Sequence, residues 1–382
     1  MHVFESLLAL LLAATVLSAF ARRFSVPYPT LLAVGGAFLA FVPGAPRLEL
    51  EPQLILALFV APVLLDAAYD ASLRDLRRSW IPVTSLVLAA VALTTVAVAI
   101  AARALFPDMP WAAAVALGAL LAPPDAVAAL TVMRQAEPPH RMRMVLEGES
   151  LLNDASSLLI YRLAVGAVAA RGFDAAGAAP AFALVFVGSV VAGWLAARPV
   201  GMLMSRVADA PSSVILQFVM TFAVWLLAER LGLSGVVTIV VFGLTLARQN
   251  VAPLPARLRV PSFAIWETVT VVLNVLAFTL VGLQLGPIWS ALSPSQRVSY
   301  LLAAVAILGT AIVVRMAWVL IHHFGDAAAR RLLRGRTEAD TAAPTVRDAL
   351  AVGWSGMRGI VTLAAALALP AGFPYRDFIQ LT

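Results

Sequence analysis

Apolar residues in this chain come in runs close to the ~20 residues that a helix needs to cross a bilayer. Short stretches rich in Pro, Gly and Arg divide them. Such runs leave few folds open, because in hydrocarbon every backbone N–H and C=O must find its partner inside the protein. Runs this long and continuous read as helices. Of the 382 residues, 62% are apolar and 13% charged, against about half and a quarter in soluble domains. The expected fold class is an all-α polytopic membrane protein, a single integral membrane domain over residues 1–382.

About twelve spans are predicted, at 3–21, 27–43, 52–70, 80–104, 110–133, 142–170, 180–205, 212–231, 233–247, 261–287, 298–322 and 346–370. The first run ends in Arg22 and Arg23. A signal peptide puts its basic residues first, so this run reads as a retained span. A further run opens at Phe378 and reads as the start of a truncated thirteenth helix. Thirteen spans divide into six, one and six, which allows two inverted repeats.

The net charge is +6, and all 27 basic residues are arginine. Seventeen arginines fall in odd-numbered loops and six in even-numbered loops and the tail. The positive-inside rule then places odd loops in the cytoplasm and the N-terminus outside, as expected for a bacterial inner-membrane protein. The basic balance thus reads as topology, and no nucleic-acid partner is expected. With no Cys there is no disulfide or thiol chemistry, and with no Lys there is no P-loop for ATP. No HExxH zinc motif occurs. Neither an enzyme nor a bound cofactor is expected.

Ionisable groups inside spans cost several kcal/mol unless paired or hydrated, and they mark function. Asp66, Asp125, Glu149, Asp154, Glu267, Arg315 and Arg358 lie deep within predicted spans, with Glu147 and Arg162 nearer the ends of theirs. In "GALLAPPDAVAAL", Pro123 and Pro124 precede Asp125. Neither proline donates, so the carbonyls of Ala119 and Leu120 lose their usual partners. A helix broken at this depth is tolerated only within protein or beside water. The twelfth span carries Gly353, Gly356 and Gly359 around Arg358. Spans five and twelve are equivalent in the two repeats, and paired interrupted helices point to a transporter's binding site.

In the sixth span Ser150 and Asp154 are four apart and share a face, so Asp154 can face the same cavity as Asp125. Glu149 lies about 140° around. It is expected to pair with Arg358, while Asn153 hydrogen-bonds across the junction. Asp66 reads either as an ion-site residue or as a cap on a packed junction. Glu267 is a candidate partner for Arg315 or Arg162, and Asn274 a candidate for interhelical bonding. His140, His322 and His323 fall at cytoplasmic ends.

The motifs "EGESLLND" at 147–154, "PPDAVAAL" at 123–130, "GMRGIVTLAAALALP" at 356–370, "FTLVGLQL" at 278–285 and "APVLLDAAYD" at 61–70 resemble the sodium/proton exchanger family of monovalent cation:proton antiporters. The resemblance implies an inverted-repeat antiporter fold with crossed broken helices. It implies a homodimer, with a core half including 80–170 and 298–382 and the remaining helices as scaffold. Carried over by residue, it makes Asp154, Asp125 and Ser150 ligands of the cation. Asn153 and Asp66 join the cation/proton site, and Glu149 with Arg358 forms a structural ion pair. The departure is Pro124–Asp125–Ala126, where many members have Thr-Asp-Pro, so a threonine ligand is missing.

The chemistry expected is competition: a partly desolvated Asp154 holds a proton or a cation, not both. Asp125, Ser150 and the freed carbonyls add oxygens that suit a hard ion such as Na⁺, with Li⁺ or K⁺ as further cargo. Alternating exposure of the site gives electroneutral exchange for H⁺. A passive cation channel or a cation-coupled symporter of related architecture are the alternatives, and transport against a gradient separates them.

Overall fold

The computed structural model describes residues 28–42, 56–70, 89–124, 140–169, 175–249, 256–333 and 359–382, with isolated positions elsewhere. Every described element is helical. Helix α1 covers Tyr28–Ala40. A π-helical turn at Leu56–Val60 leads into α2, Ala61–Asp70. Then come α3 (Val91–Leu105), α4 (Trp111–Leu121), α5 (His140–Ala169) and α6 (Ala175–Met204). The chain continues with α7 (Ala210–Arg230), α8 (Gly235–Gln249), α9 (Ala256–Ala291) and α10 (Pro294–Leu333). It closes with α11 (Ile360–Leu367) and α12 (Arg376–Leu381).

Most predicted spans have a helix at their place. Among the described residues four helices are long and apolar enough to cross a bilayer alone, at Ala183–Met204, Ala210–Arg230, Val260–Ala291 and Pro294–His322, and shorter apolar helices accompany them. The first span lies almost wholly outside the described residues. The narrow division between spans eight and nine is real. α7 ends at Arg230 and α8 begins at Gly235, with Gly232 between them at φ +71°. That left-handed conformation suits glycine, which has no Cβ to clash. Asp209 caps α7 by accepting from the Ser212 N–H at 2.9 Å. The same N–H and the Ser212 side chain hold the Asp209 carboxyl below its ordinary range.

Several helices overrun their predicted limits: α6 begins at Ala175 rather than 180, and α9 covers Ala256–Ala291 rather than 261–287. α10 runs on through Leu333 rather than stopping at His322, because "GDAAARRLL" is made largely of strong helix formers. In the twelfth span, expected over 346–370 and weakened by its glycines, positions 346, 350 and 353 are helical, Gly359 is extended, and a helix follows over Ile360–Leu367.

Packing draws the broken helix inward. α4 contacts α3 and α5, α10 contacts α3, and α11 touches α4. Elsewhere α1 lies along α9, α6 along α8, and α8 against α2. Along α4 the residues Ala112, Ala113, Ala114, Ala116 and Ala119 are all buried. Small side chains let helix backbones approach closely, the usual device where lipid removes the hydrophobic drive between helices. Gly118 shows how close: a Cβ there would run into the carbonyl of Thr95 on α3. α12 is held by aromatic contact, with the buried Phe378 ring 4.8 Å from Phe106 and 5.1 Å from Tyr300.

Candidate functional site

The break in the fifth span is where the prolines put it. α4 stops at Leu121, and Ala122, Pro123 and Pro124 continue without helical structure, all buried. The carbonyls of Ala119 and Leu120 would have accepted from positions 123 and 124, where proline has no N–H. Hydroxyls from two other helices replace those donors. Ser157 Oγ on α5 donates to Ala119 O at 2.5 Å. Thr362 Oγ1 on α11 donates to Leu120 O at 3.1 Å. A third bond joins the donor helices, from Tyr161 Oη to Ala365 O at 2.7 Å. Segments 119–124, 153–161 and 359–365 thus meet at one place, although about 240 residues of sequence separate the first and last.

The Ser157 bond also fixes the rotation of α5. At 100° per residue, Ser150, Asp154, Ser157 and Tyr161 fall within a stripe about 60° wide. The face that carries Asp154 is therefore the face turned to the broken end of α4. Asp154 is half-buried one turn before Ser157, and Asn153 is buried at 1% exposure. Ser150 and Glu149 lie within the helical backbone of α5. Pro124 is buried at the end of the break. Asp125 and Arg358 lie outside the described residues, as do the side chains of Ser150 and Glu149.

Asp66 is half-buried on α2, and its Oδ2 accepts from Thr270 Oγ1 on α9 at 3.3 Å. Arg162 is answered from a place the sequence does not suggest. Its Nη2 lies 2.7 Å from Glu229 Oε1 at the end of α7, and its Nη1 reaches Leu233 O at 3.4 Å. Glu229 Oε1 also accepts from the Gly235 N–H at 3.0 Å, so the carboxylate caps the first turn of α8. Glu267 faces outward on α9 and is not the partner of Arg162. Arg315 and Asn274 are buried.

Ser157, Tyr161, Thr362, Thr270 and Glu229 join the site or its supports without standing out in the sequence. A signal exists for two of them. Ser157 shares the Asp154 face, and Thr362 stands three residues after a glycine break. The carbonyls freed by proline are expected from sequence to serve the cation, but each already carries one hydroxyl donor.

A family described as sodium/hydrogen exchanger, transmembrane, matches residues 7–382. The chain belongs to the sodium/hydrogen exchanger family. It is a multi-pass membrane protein and a cation:proton antiporter by that membership. An uncharacterized Na⁺/H⁺ exchanger of Escherichia coli is 30% identical over 98% of this chain and 70% of its own length. A sodium, potassium, lithium and rubidium/H⁺ antiporter of Bacillus pumilus is 29% identical over 98% of this chain. The chain spans 57% of that relative's length. Among solved structures, the sodium proton antiporter MjNhaP1 of Methanocaldococcus jannaschii superposes with a TM-score of 0.73 at 17% identity. That match covers 100% of this chain and 95% of the other, so the exchanger shares its antiporter fold.

Proposed function

We propose that this exchanger moves one monovalent cation, Na⁺ foremost with Li⁺ or K⁺ as further cargo, against one H⁺ by electroneutral alternating access. The observation that supports it is the meeting of the broken end of α4 with the Asp154 face of α5 and the start of α11. Asp154 is the carrier that alternates between proton and cation. Asp125, next in the chain after the buried Pro124, and Ser150, on the same stripe, supply further oxygens. Asn153 and Asp66 complete the surroundings. A desolvated carboxylate disfavours its bare charged form, so proton and cation compete for the same oxygens and the empty site does not cross. Glu149 and Arg358 form the structural ion pair.

In this reading residues 80–170 and 298–382 belong to a core half that moves against the remaining helices. The N-terminus faces outward from a bacterial inner membrane, and two copies form a homodimer.

The experiment is exchange by the purified protein in proteoliposomes, with Na⁺, Li⁺ or K⁺ added across an imposed pH gradient. The wild type is expected to drive cation uphill as protons run down. Asp154→Asn is expected to fold and to lose exchange completely. Cation-coupled proton flux retained in that variant would remove Asp154 from the role, and purely downhill cation flux in the wild type would mark a channel.

A further inference from the structure

A broken helix delivers a site residue usefully only if the break itself is held still. Here the ordinary means of holding it is missing, because the two N–H groups that would bond Ala119 O and Leu120 O are absent at Pro123 and Pro124. Ala119 and Leu120 are buried, so their carbonyls call for donors from the protein. The two donors come from different helices, Ser157 on α5 and Thr362 on α11. Each takes one of two adjacent carbonyls, so the end of α4 is gripped from two sides. Ser157 is 1% exposed and has no competing solvent. The Tyr161–Ala365 bond ties the two gripping helices to each other.

We propose that Ser157 and Thr362 are positioning residues of the exchange site: their hydroxyls stand in for the two missing proline N–H groups and fix the broken end of α4, Ala122–Pro124, from which the chain continues into Asp125. The proposal rests on the exchange reading given above. Neither hydroxyl needs to touch the ion. Both act through the main chain of Ala119–Pro124, which is covalently continuous with Asp125. Two donors also give the break a device that a plain helix lacks. A movement of α11 relative to α5 pulls on neighbouring carbonyls in different directions, so the position of the broken end depends on both helices keeping their register.

The absence of Cys from the chain allows a readout independent of transport. Ala122, 5% exposed just beyond the clamped carbonyls, is replaced by Cys, and its labelling by a small maleimide is tracked in the full-length protein. Thr362→Val keeps the shape and removes the donor, Thr362→Ser keeps the donor, and Ser157→Ala removes the second donor. Loss of one net hydrogen bond corresponds to about 2- to 10-fold in an equilibrium. Thr362→Val and Ser157→Ala are each expected to speed labelling by about that factor. Both are also expected to raise the KM for cation by a similar factor and to shift the pH profile of exchange, while Thr362→Ser stays near wild type.

Unchanged labelling in both donorless variants overturns the clamp whatever the transport result. Faster labelling with an unaltered KM and pH profile overturns the positioning role and leaves only packing. Thr362→Ser behaving like Thr362→Val rules out the hydroxyl as the operative group. Failure of the wild type to exchange any cation sinks the transport reading instead, and the labelling series still decides the clamp.

Discussion

Pro123 and Pro124 show how much a single backbone atom decides in a bilayer. In water an unpartnered carbonyl is solvated at little cost, but within a membrane it forces a neighbouring helix to supply a donor. The same pressure acts on side chains. Glu149 and Arg358 are read as partners because either alone would be an uncompensated charge, and breaking a buried pair costs roughly 3–5 kcal/mol. Glu149→Ala and Arg358→Ala are each expected to lower the melting temperature sharply. The double variant is expected to fall no further than the worse single one. Melting of the purified variants checks this, and strictly additive losses would show that the two side chains do not interact. Asn153, before Asp154, is neutral and brings no charge to compensate, although its buried amide still needs hydrogen bonds.

At the scale of helices, joints matter more than lengths. The turn between α7 and α8 needs a left-handed residue at Gly232, and it places Glu229 where one oxygen serves both Arg162 of α5 and the first N–H of α8. Both side chains of the pair are about one-third exposed, at 37% and 31%, so the ion pair contributes less than a buried one. The cap adds the ordinary value of a satisfied helix N-terminus. Glu229→Ala is expected to destabilise by about 1–2 kcal/mol in sum. Glu229→Gln keeps an acceptor for Gly235 and should recover part of that. Thermal melts in detergent at low and high salt check the division. A Gln variant as unstable as Ala would mean that charge, not capping, carries the joint.

At the scale of the whole molecule, the question is how much charge crosses per cycle. One carboxylate that binds either one H⁺ or one Na⁺ has the same charge in both loaded states. Voltage then has no net charge to act on, although about 2.3 kcal/mol per charge per 100 mV is available for any net movement. The Na⁺ gradient at which proton flux stops is therefore expected to be independent of voltage. The check is a reversal measurement in vesicles clamped with potassium and valinomycin, at potentials where K⁺ itself is not carried. A balance point that moves with voltage would make Asp125 a second proton carrier.

Sequence alone determined the features that depend on length, polarity and local covalent chemistry. The long apolar runs set the helices. The proline pair set the break after Leu121, and the glycine at 232 set the joint between α7 and α8. The spacing of Ser150 and Asp154 set a shared face. These are legible because hydrocarbon permits few backbone arrangements and proline permits fewer. Only the tertiary structure decided which distant groups answer the broken ones: Ser157 and Thr362 for the orphaned carbonyls, Glu229 rather than Glu267 for Arg162, and Thr270 for Asp66. A hydroxyl or a carboxylate has many acceptable partners, and which it meets depends on the rotation and register of whole helices. Packing across hundreds of residues sets those, and no local pattern records them.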